Sequence, residues 1–182
     1  MIRLATPDDA SAVHDIYAPI VRDTAISFEW EVPTVADMAG RITKVLADRP
    51  WLVLEEDGEI LGYSYATTFR ERRSYQWGTE VAIYVHENAR GRGVGRKLYG
   101  ALFEVLTKQN YCTVIAGATL PNPNTERLHL GIGFSEFGRY PAAGFKLGKW
   151  WDVVFWMKRL RELPADPTPI IHYSEIIDQC QL

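Results

Sequence analysis

Hydrophobic positions along the chain follow two periods, and segments of the two kinds alternate. Apolar residues three and four apart predict helices, whereas short runs rich in apolar and β-branched residues predict strands. The first strand is Ile2–Ala5, and Thr6-Pro7 then supplies an N-cap and a first-turn proline for a helix that continues to about residue 22. A second helix begins at Thr34, whose capping-box partner is Asp37.

The middle and the end of the chain add more strands than helices. Trp51–Glu56 and Glu59–Phe69 are apolar runs on either side of Asp-Gly, the favoured dipeptide of a type I′ hairpin turn. The elements expected after this hairpin are a strand over Tyr75–Val85, a helix over Val94–Gln109, a strand over Thr113–Thr119, a short helix over Thr125–Ile132 and a strand over Val153–Lys158. The order β-α-α-β-β-β-α-β-α-β predicts an α/β fold in which helices pack against one mixed sheet.

Composition narrows the class of protein. The chain has 182 residues, of which 47% are hydrophobic and 24% charged, as in an ordinary globular domain. Its net charge of −3 argues against non-specific binding of DNA or RNA, because such binding needs a basic surface. The sequence contains no leader-like N-terminus and no apolar stretch of transmembrane length, so we expect a cytoplasmic protein without a membrane partner.

The cysteines and histidines do not predict a metal site. Cys112 and Cys180 are too few for a disulfide framework or a cysteine-based zinc site, and Cys112 begins an apolar run typical of a buried residue. The four histidines lack HExxH or HxH spacing, so no metal is expected. Three prolines after Leu163 predict that the last segment begins extended.

A glycine-rich segment between a strand and a helix carries the candidate chemistry. It is Ala89-Arg90-Gly91-Arg92-Gly93-Val94-Gly95-Arg96. Glycines allow positive φ and close approach of a ligand, and the amides of a helix N-terminus form an anion site. The spacing fits neither a P-loop nor a Rossmann fingerprint, but it fits Gln/Arg-x-x-Gly-x-Gly. The predicted ligand of this loop is a phosphate. The alternative is that the loop is only a tight strand-to-helix turn whose arginines are solvated.

This loop is similar to the acetyl-CoA pyrophosphate loop of the GCN5-related N-acetyltransferases, the GNAT superfamily. Within the GNAT superfamily, the chain resembles the phosphinothricin and methionine sulfoximine acetyltransferases. The matching segments are Phe69–Glu80, Leu120–Asn122, Arg127–His129 with Gly133-Phe134, and Ala142–Lys146 with Trp150 and Asp152. The resemblance covers about residues 2–160, so the expected domain is 1–160 and the tail 161–182 lies outside it. It implies the GNAT fold, a mixed, mostly antiparallel twisted sheet flanked by helices, with a splayed strand pair for acetyl-CoA.

The same resemblance implies an activity. The enzyme would move an acetyl group from acetyl-CoA directly to the α-amino group of a small amino acid such as phosphinothricin, methionine sulfoximine or methionine sulfone, without a metal. Family members pair as homodimers, and the late aromatics Trp150, Trp151 and Trp156, expected to be exposed, would suit an interface. Two alternatives stay open: another acceptor (a polyamine, an aminoglycoside or a protein N-terminus), or an acyl-CoA-binding module without catalysis. The cationic run Arg70–Arg73 argues against a polyamine.

Contacts with acetyl-CoA are expected at the end of one strand, in the glycine loop and at one asparagine. The residues are Ile83, Tyr84, Val85, Arg90, Gly91, Arg92, Gly93, Val94, Gly95, Arg96 and Asn122. The loop amides and arginines would meet the phosphates, and a backbone amide near the strand end would donate to the developing oxyanion. Asn122 would bond the pantetheine chain, and the alternative is an asparagine that only forms a turn.

Glu80 is the expected general base. A carboxylate inside an apolar strand is costly unless it has a task or a partner, and the resemblance places the base at this position. Strand alternation puts the side chains of Glu80 and Tyr84 on one face of the sheet and those of Ile83 and Val85 on the other. The alternative is a buried acid paired with a nearby arginine.

The remaining site residues follow from the resemblance. His129 lies seven residues after Asn122, where many GNAT enzymes have the tyrosine that protonates the departing thiolate. The alternative for His129 is a packed or capping histidine. The residues expected to hold the substrate carboxylate or close the substrate site are Arg72, Tyr75, Phe145 and Lys146.

Overall fold

Seven strands form one sheet in the order β1-β2-β3-β4-β5-β7-β6. The structure, a computed structural model, describes all residues, 1–182. The strands are β1 (Ile2–Leu4), β2 (Trp51–Glu56), β3 (Glu59–Thr68), β4 (Gly78–Val85), β5 (Thr113–Leu120), β6 (Ser135–Lys146) and β7 (Lys149–Arg159). The helices are α1 (Ala10–Asp23), α2 (Val35–Leu46), α3 (Val94–Lys108) and α4 (Pro123–Gly131). The mixed α/β architecture expected from the sequence is confirmed, and only the β4–β5 pair is parallel.

Local chemistry sets the boundaries of the early elements. Thr34 Oγ1 accepts from the Asp37 amide (3.1 Å) and Asp37 Oδ2 accepts from the Thr34 amide (2.9 Å), so the predicted capping box begins α2. Asp57 and Gly58 both have positive φ, 52° and 81°, as a type I′ turn requires. The predicted β2–β3 hairpin is therefore confirmed.

The sequence did not predict β6, and it predicted too short a β7. Nearly every residue of β6 is exposed, and its pairing with β7 shifts register at Glu136/Gly138 and at Tyr140/Gly144. Such an edge strand carries no alternation of buried and exposed positions, so period-2 patterning does not reveal it. The Tyr75–Val85 strand was also too long, because Arg73–Tyr75 is a 3₁₀ turn and β4 begins at Gly78.

The sheet separates two hydrophobic cores. α3 packs on one face, where Val81 of β4 joins the larger cluster with Leu98 and Leu102. α1 and α2 cover the other face, where Tyr84 of β4 packs against the cluster that contains Tyr17 and Tyr63. This agrees with the predicted alternation along β4. Cys112 is buried as predicted.

β4 and β5 diverge in the middle of the sheet. They pair only over Gly78–Glu80 with Thr113–Ile115, although β4 stays paired with β3 to Val85 and β5 stays paired with β7 to Leu120. The two central strands therefore form a V that opens toward their carboxyl ends. This is the splayed pair expected from the resemblance.

The tail crosses the helices at the other end of the molecule. Ile171 N donates to Gln109 O (3.0 Å), and Gln109 Nε2 donates back to Ile171 O (2.8 Å). The Tyr173 hydroxyl donates to Leu46 O (2.7 Å) at the end of α2, and Tyr173 packs with Ile176 on Val105 of α3. The tail thus connects α2 with α3. No helix of the structure combines the length and apolar character needed to cross a bilayer.

Candidate active site

The open part of β4 presents backbone peptides to the gap between β4 and β5. His86 N donates to Leu61 O (2.9 Å) on the β3 side, whereas Trp77 O accepts from Cys112 N (2.8 Å) on the β5 side. Since peptide direction alternates along a strand, even-numbered residues of β4 bond β3 and odd-numbered residues face β5. The peptides of Ile83 and Val85 therefore face the gap. The peptide of Tyr84 belongs to the β3 ladder, so a contact of Tyr84 with acetyl-CoA stays a prediction.

The glycine loop lies where α3 meets this gap. Gly91 and Gly93 have φ of 78° and 81°, and a Cβ on either would meet no atom within 4 Å. The turn thus needs glycine for its backbone conformation, and the space above it is open. Gly95 differs, because a Cβ there would lie 3.1 Å from Leu128 Cδ2 and 3.5 Å from Ile83 Cδ1. The first turn of α3, with its free N–H groups, therefore packs directly beside the gap.

The arginines of the loop are not equally available. Arg92 pairs with Glu56, and Arg96 Nη2 donates to Gly131 O (3.2 Å) at the end of α4. Arg90 is exposed beside the loop. Arg90 thus remains the arginine of this loop best placed to meet an incoming phosphate.

Glu80 is the last residue of β4 that pairs with β5, so it lies at the apex of the V. No ion pair of the structure includes its carboxylate. Burial raises the pKa of Glu80 above its ordinary value, and no neighbouring charge offsets this. The alternative of a buried acid paired with an arginine is therefore wrong. What remains is a half-buried, unpaired carboxylate on the α1/α2 face.

The structure corrects the expectation for His129. Its side chain is 3% exposed, Nδ1 donates to Thr125 O (2.8 Å), and Nε2 accepts from the Tyr99 hydroxyl (3.2 Å). Its ring stacks on Trp156 at 4.9 Å, and burial lowers the pKa of His129 below its ordinary value. Both ring nitrogens are thus used inside the protein, as in the alternative of a packed histidine. Trp156 is 1% exposed, so its expected exposure is wrong too.

Asn122 has a local structural task. It is buried and caps α4, where its Oδ1 accepts from the Thr125 amide (3.3 Å). The cap leaves the side chain at the carboxyl end of β5, on the rim of the gap. Contact with the pantetheine chain stays a prediction.

Lys146 does not have the position expected of a substrate residue. It is 4% exposed, and its ammonium donates to Val21 O (2.6 Å) and Ser27 O (2.7 Å). The structure thus corrects the prediction, because Lys146 ties the α1–α2 loop to the β6–β7 hairpin. Phe28 strengthens this link, since its ring lies on Gly144 so closely that a Cβ there would overlap it.

The other expected substrate residues lie at the edges of the site. Arg72 is exposed in the β3–β4 loop, and Tyr75 is 41% exposed and packs edge-on against Phe69. Phe145 is 44% exposed beside Trp150 on the β6–β7 hairpin. The structure does not bring these side chains together in one pocket, and their substrate contacts stay predictions.

A polar network that the sequence did not predict supports the α1–α2 loop. Tyr17 hydrogen-bonds Ser27 Oγ and Glu29 Oε1, both at 2.8 Å, and Arg41 binds Glu29 with two bonds of 2.7 and 2.8 Å. These residues come from α1, the loop and α2, so only the folded chain joins them. In the sequence, the only indication of this network is the acidic residue Glu29 between the aromatic residues Phe28 and Trp30.

Comparisons with known proteins agree with this geometry. The acetyltransferase (GNAT) domain family matches residues 2–155. The chain is 34% identical to a phosphinothricin N-acetyltransferase of Streptomyces viridochromogenes, covering 96% of this chain and 95% of the relative. It is 32% identical to an L-methionine sulfoximine/L-methionine sulfone acetyltransferase of Salmonella typhimurium, covering 90% and 96%.

A solved structure provides the same agreement in three dimensions. It is a GNAT superfamily phosphinothricin acetyltransferase from Sinorhizobium meliloti in complex with acetyl-CoA, with a TM-score of 0.86 and 30% identity over 95% of this chain and 97% of that one. The V between β4 and β5, the glycine loop at α3 and the sequence relationships lead to one assignment. The chain belongs to the GNAT acetyltransferase family, in the group of the phosphinothricin and methionine sulfoximine acetyltransferases.

Proposed function

We propose that this protein transfers the acetyl group of acetyl-CoA to the α-amino group of a small amino acid of the phosphinothricin, methionine sulfoximine or methionine sulfone type. The single observation that carries the proposal is the unpaired carboxylate of Glu80 at the apex of the V. A binding module without chemistry would have no use for a buried charge without a partner, because burial of such a charge costs stability.

The two faces of the sheet suit two different reactants. The glycine loop and Asn122 border the gap on the α3/α4 side, where acetyl-CoA would bind. Glu80 lies on the opposite face, under α1 and α2, where the amine would enter. The gap between β4 and β5 connects the two sides. Bound acetyl-CoA would supply an activated acetyl thioester.

Glu80 would remove a proton from the incoming ammonium group, directly or through water. A free amino acid is mostly protonated at neutral pH, and only the neutral amine is a nucleophile. The raised pKa of Glu80 makes its carboxylate a stronger base than an exposed glutamate. The N–H groups of Ile83 and Val85 face the gap and would donate to the oxygen on which negative charge develops.

Arg72 and Tyr75 would hold the carboxylate of the acceptor, and Phe145 would border its side chain. Arg72 and Tyr75 extend from the β3–β4 loop, and Phe145 extends from the β6–β7 hairpin. We further propose a homodimer and a cytoplasmic location. Support for the dimer comes from the aromatic surface around β6, where Tyr140 is 56% and Trp150 is 64% exposed.

A steady-state assay with a panel of acceptors tests the proposal. We expect turnover with phosphinothricin, methionine sulfoximine and methionine sulfone, and little with spermidine, an aminoglycoside or an N-terminal peptide. In the same assay, the methyl ester of the α-carboxyl group of each active amino acid should show a higher KM, since the carboxylate contact with Arg72 would be lost. Binding of acetyl-CoA without turnover of any amine would contradict catalysis.

A further inference from the structure

An apolar groove with a volume of about 460 Å³ lies between the β3–β4 loop and the first part of the tail. Phe69 and Tyr75 line it from the loop. Ile115 and Met157 line it from the sheet, and Leu163 lines it from the tail. We call this cavity the tail groove. Its volume lies within the range of small-molecule sites, about 300–1,000 Å³.

The tail groove lies on the same face of the sheet as Glu80. Gly78, which lines the groove, comes two residues before Glu80 on β4, so both residues point to one side of the strand. Ile115, which also lines the groove, is the partner of Glu80 in the β4–β5 pair. Two strand residues span about 7 Å, so a side chain of methionine length reaches from an amino group at Glu80 to the groove at Gly78.

Gly78 leaves the floor of the tail groove open. A Cβ at Gly78 would lie 3.7 Å from Ile115 Cδ1 and 4.0 Å from Phe69 Cδ1, so it would enter the groove at ordinary contact distances. The backbone at Gly78 has no positive φ and does not require glycine. Ile115 is 4% exposed although it belongs to neither of the two hydrophobic cores. The groove is thus a separate apolar environment, and glycine at its floor provides room.

Hydrogen bonds fix the tail beside the loop that would bind the acceptor. Trp77 Nε1 donates to Thr168 O, and Asn110 Nδ2 donates to Pro169 O, both at 2.8 Å. Trp77 lies two residues after Tyr75, which is expected at the carboxylate of the acceptor. The tail side of the groove is therefore tied to the acceptor loop.

The lining of the tail groove indicates the charge of its ligand. No charged side chain lines it. Arg70 is exposed and lies over the rings of Phe69 and Tyr75, with Cζ 5.2 and 6.0 Å from their centroids, but it is not part of the lining. Burial of a charged group without a partner is costly, so the groove favours an uncharged group.

We propose that the tail groove takes the far end of the acceptor's side chain, and that this end is apolar and uncharged. The inference rests on the proposed acetyl transfer at Glu80 and adds the class of acceptor to it. That class is an α-amino acid with an unbranched neutral side chain about as long as that of methionine. Leu163 then makes the tail a determinant of substrate choice.

A series of acceptors that differ only in the side chain tests the groove. The assay measures kcat/KM for α-aminobutyrate, norvaline, norleucine and α-aminoadipate, which has a carboxylate where norleucine ends in a methyl group. Each methylene that leaves water is worth about a threefold gain, so norleucine should exceed α-aminobutyrate about tenfold. The value for α-aminoadipate should be about tenfold or more below that for norleucine, because no cation lines the groove.

Two variants test the position of the side chain. Gly78→Ala fills the floor, so it should lower the preference for norleucine to about threefold and leave kcat/KM for α-aminobutyrate unchanged. Gly100→Ala adds the same methyl group in open space on α3 and is its control. Leu163→Ala should also lower the preference, whereas Leu130→Ala, at a leucine of similar exposure on α4, should not.

Equal kcat/KM for norleucine and α-aminobutyrate, equal use of α-aminoadipate and norleucine, or an unchanged preference in Gly78→Ala would each overturn the proposal. If Leu163→Ala keeps the preference and changes the oligomeric state in analytical ultracentrifugation, the groove is an interface between copies of this chain, and the proposal is overturned. Binding of acetyl-CoA without turnover of any amino acid would overturn the proposed function, and this inference with it.

Discussion

Glu80 is a residue whose environment disfavours its own ionisation. Burial raises its pKa, and no cation compensates, so the carboxylate costs folding free energy at neutral pH. Because the folded-state pKa of Glu80 lies above its unfolded-state pKa, its contribution to the free energy of unfolding is fully present below the unfolded-state pKa. That contribution is lost as the pH rises through the folded-state pKa. A protein that keeps such a group at the apex of an open gap retains it for chemistry rather than for stability.

Replacing Glu80 by glutamine separates the chemistry from the packing. Glu80→Gln keeps the shape and removes proton acceptance, so kcat near neutral pH should drop by about 10²–10⁴-fold. Affinity for CoA by calorimetry should not change, and part of the loss should return at high pH, where more of the amine is neutral. Glu136→Gln, an exposed acid on β6, is the matched control. A Glu80→Gln enzyme with wild-type kcat and pH profile would falsify the assignment.

His129 should respond to pH as a buried structural group. Burial lowers the folded-state pKa of His129 below its unfolded-state pKa of about 6.5. The contribution of His129 to the free energy of unfolding is therefore fully present above pH 6.5 and is lost as the pH falls through the folded-state pKa. Nuclear magnetic resonance should show the His129 ring titrating below pH 6.5. Thermal unfolding of His129→Gln should depend less on pH between 6.5 and 5. A ring that titrates at or above 6.5 would contradict this prediction.

At the scale of elements, the turn into α3 depends on glycine for its backbone conformation. Gly93 has a φ of 81°, and a Cβ would meet no atom within 4 Å. Gly93→Ala should therefore destabilise the fold by about 1–2 kcal/mol through conformation alone, and it should weaken CoA binding as the turn shifts. Gly100 of α3 also has free space but no positive φ, so Gly100→Ala should stabilise by up to about 1 kcal/mol. Chemical denaturation measures both, and equal effects would argue against backbone strain at Gly93.

The link between the α1–α2 loop and the β6–β7 hairpin can be tested through Lys146. Lys146→Met keeps the length and removes both hydrogen bonds to carbonyls, so unfolding free energy should fall by about 3 kcal/mol. KM for the acceptor should rise more than KM for acetyl-CoA, because the loop covers the acceptor face. Lys149→Met, on the same hairpin, removes only a cation–π contact with Trp151 (3.8 Å) and should lower the unfolding free energy by at most about 1 kcal/mol, with both KM values unchanged. A stable variant with unaltered KM values would show that the loop does not need this link.

For the whole molecule, the tail connects two helices that the sheet alone leaves apart. Removal of residues 169–182 would delete the bonds to Leu46 and Gln109 and uncover the Tyr173 and Ile176 contacts on α3. We expect a loss of about 5 kcal/mol in unfolding free energy, with kcat near wild type well below the melting temperature. Asp166→Ala, in the exposed part of the tail, is the control. Unchanged thermal unfolding of the shortened chain would contradict a stabilising role.

Much of the fold was predictable because its signals are local. The capping box of α2, the Asp57-Gly58 turn and the glycine loop each depend on residues only a few positions apart. β6 was not predictable in this way, because an exposed edge strand exists only where β7 offers it a partner. The tail was equally hidden, since its bonds reach residues 59 to 127 positions away.

The same division applies to the site. The sequence alone led to the family, and it singled out Glu80 and the glycine loop as candidates, because an acid in an apolar strand and a strand–glycine–helix turn are visible in short stretches. Only the tertiary structure decided that Glu80 has no partner, that His129 and Lys146 are internal supports, and that the Tyr84 peptide belongs to β3. These outcomes depend on which distant groups fold against each residue. Burial and hydrogen-bond partners are set by long-range packing, which no local pattern contains.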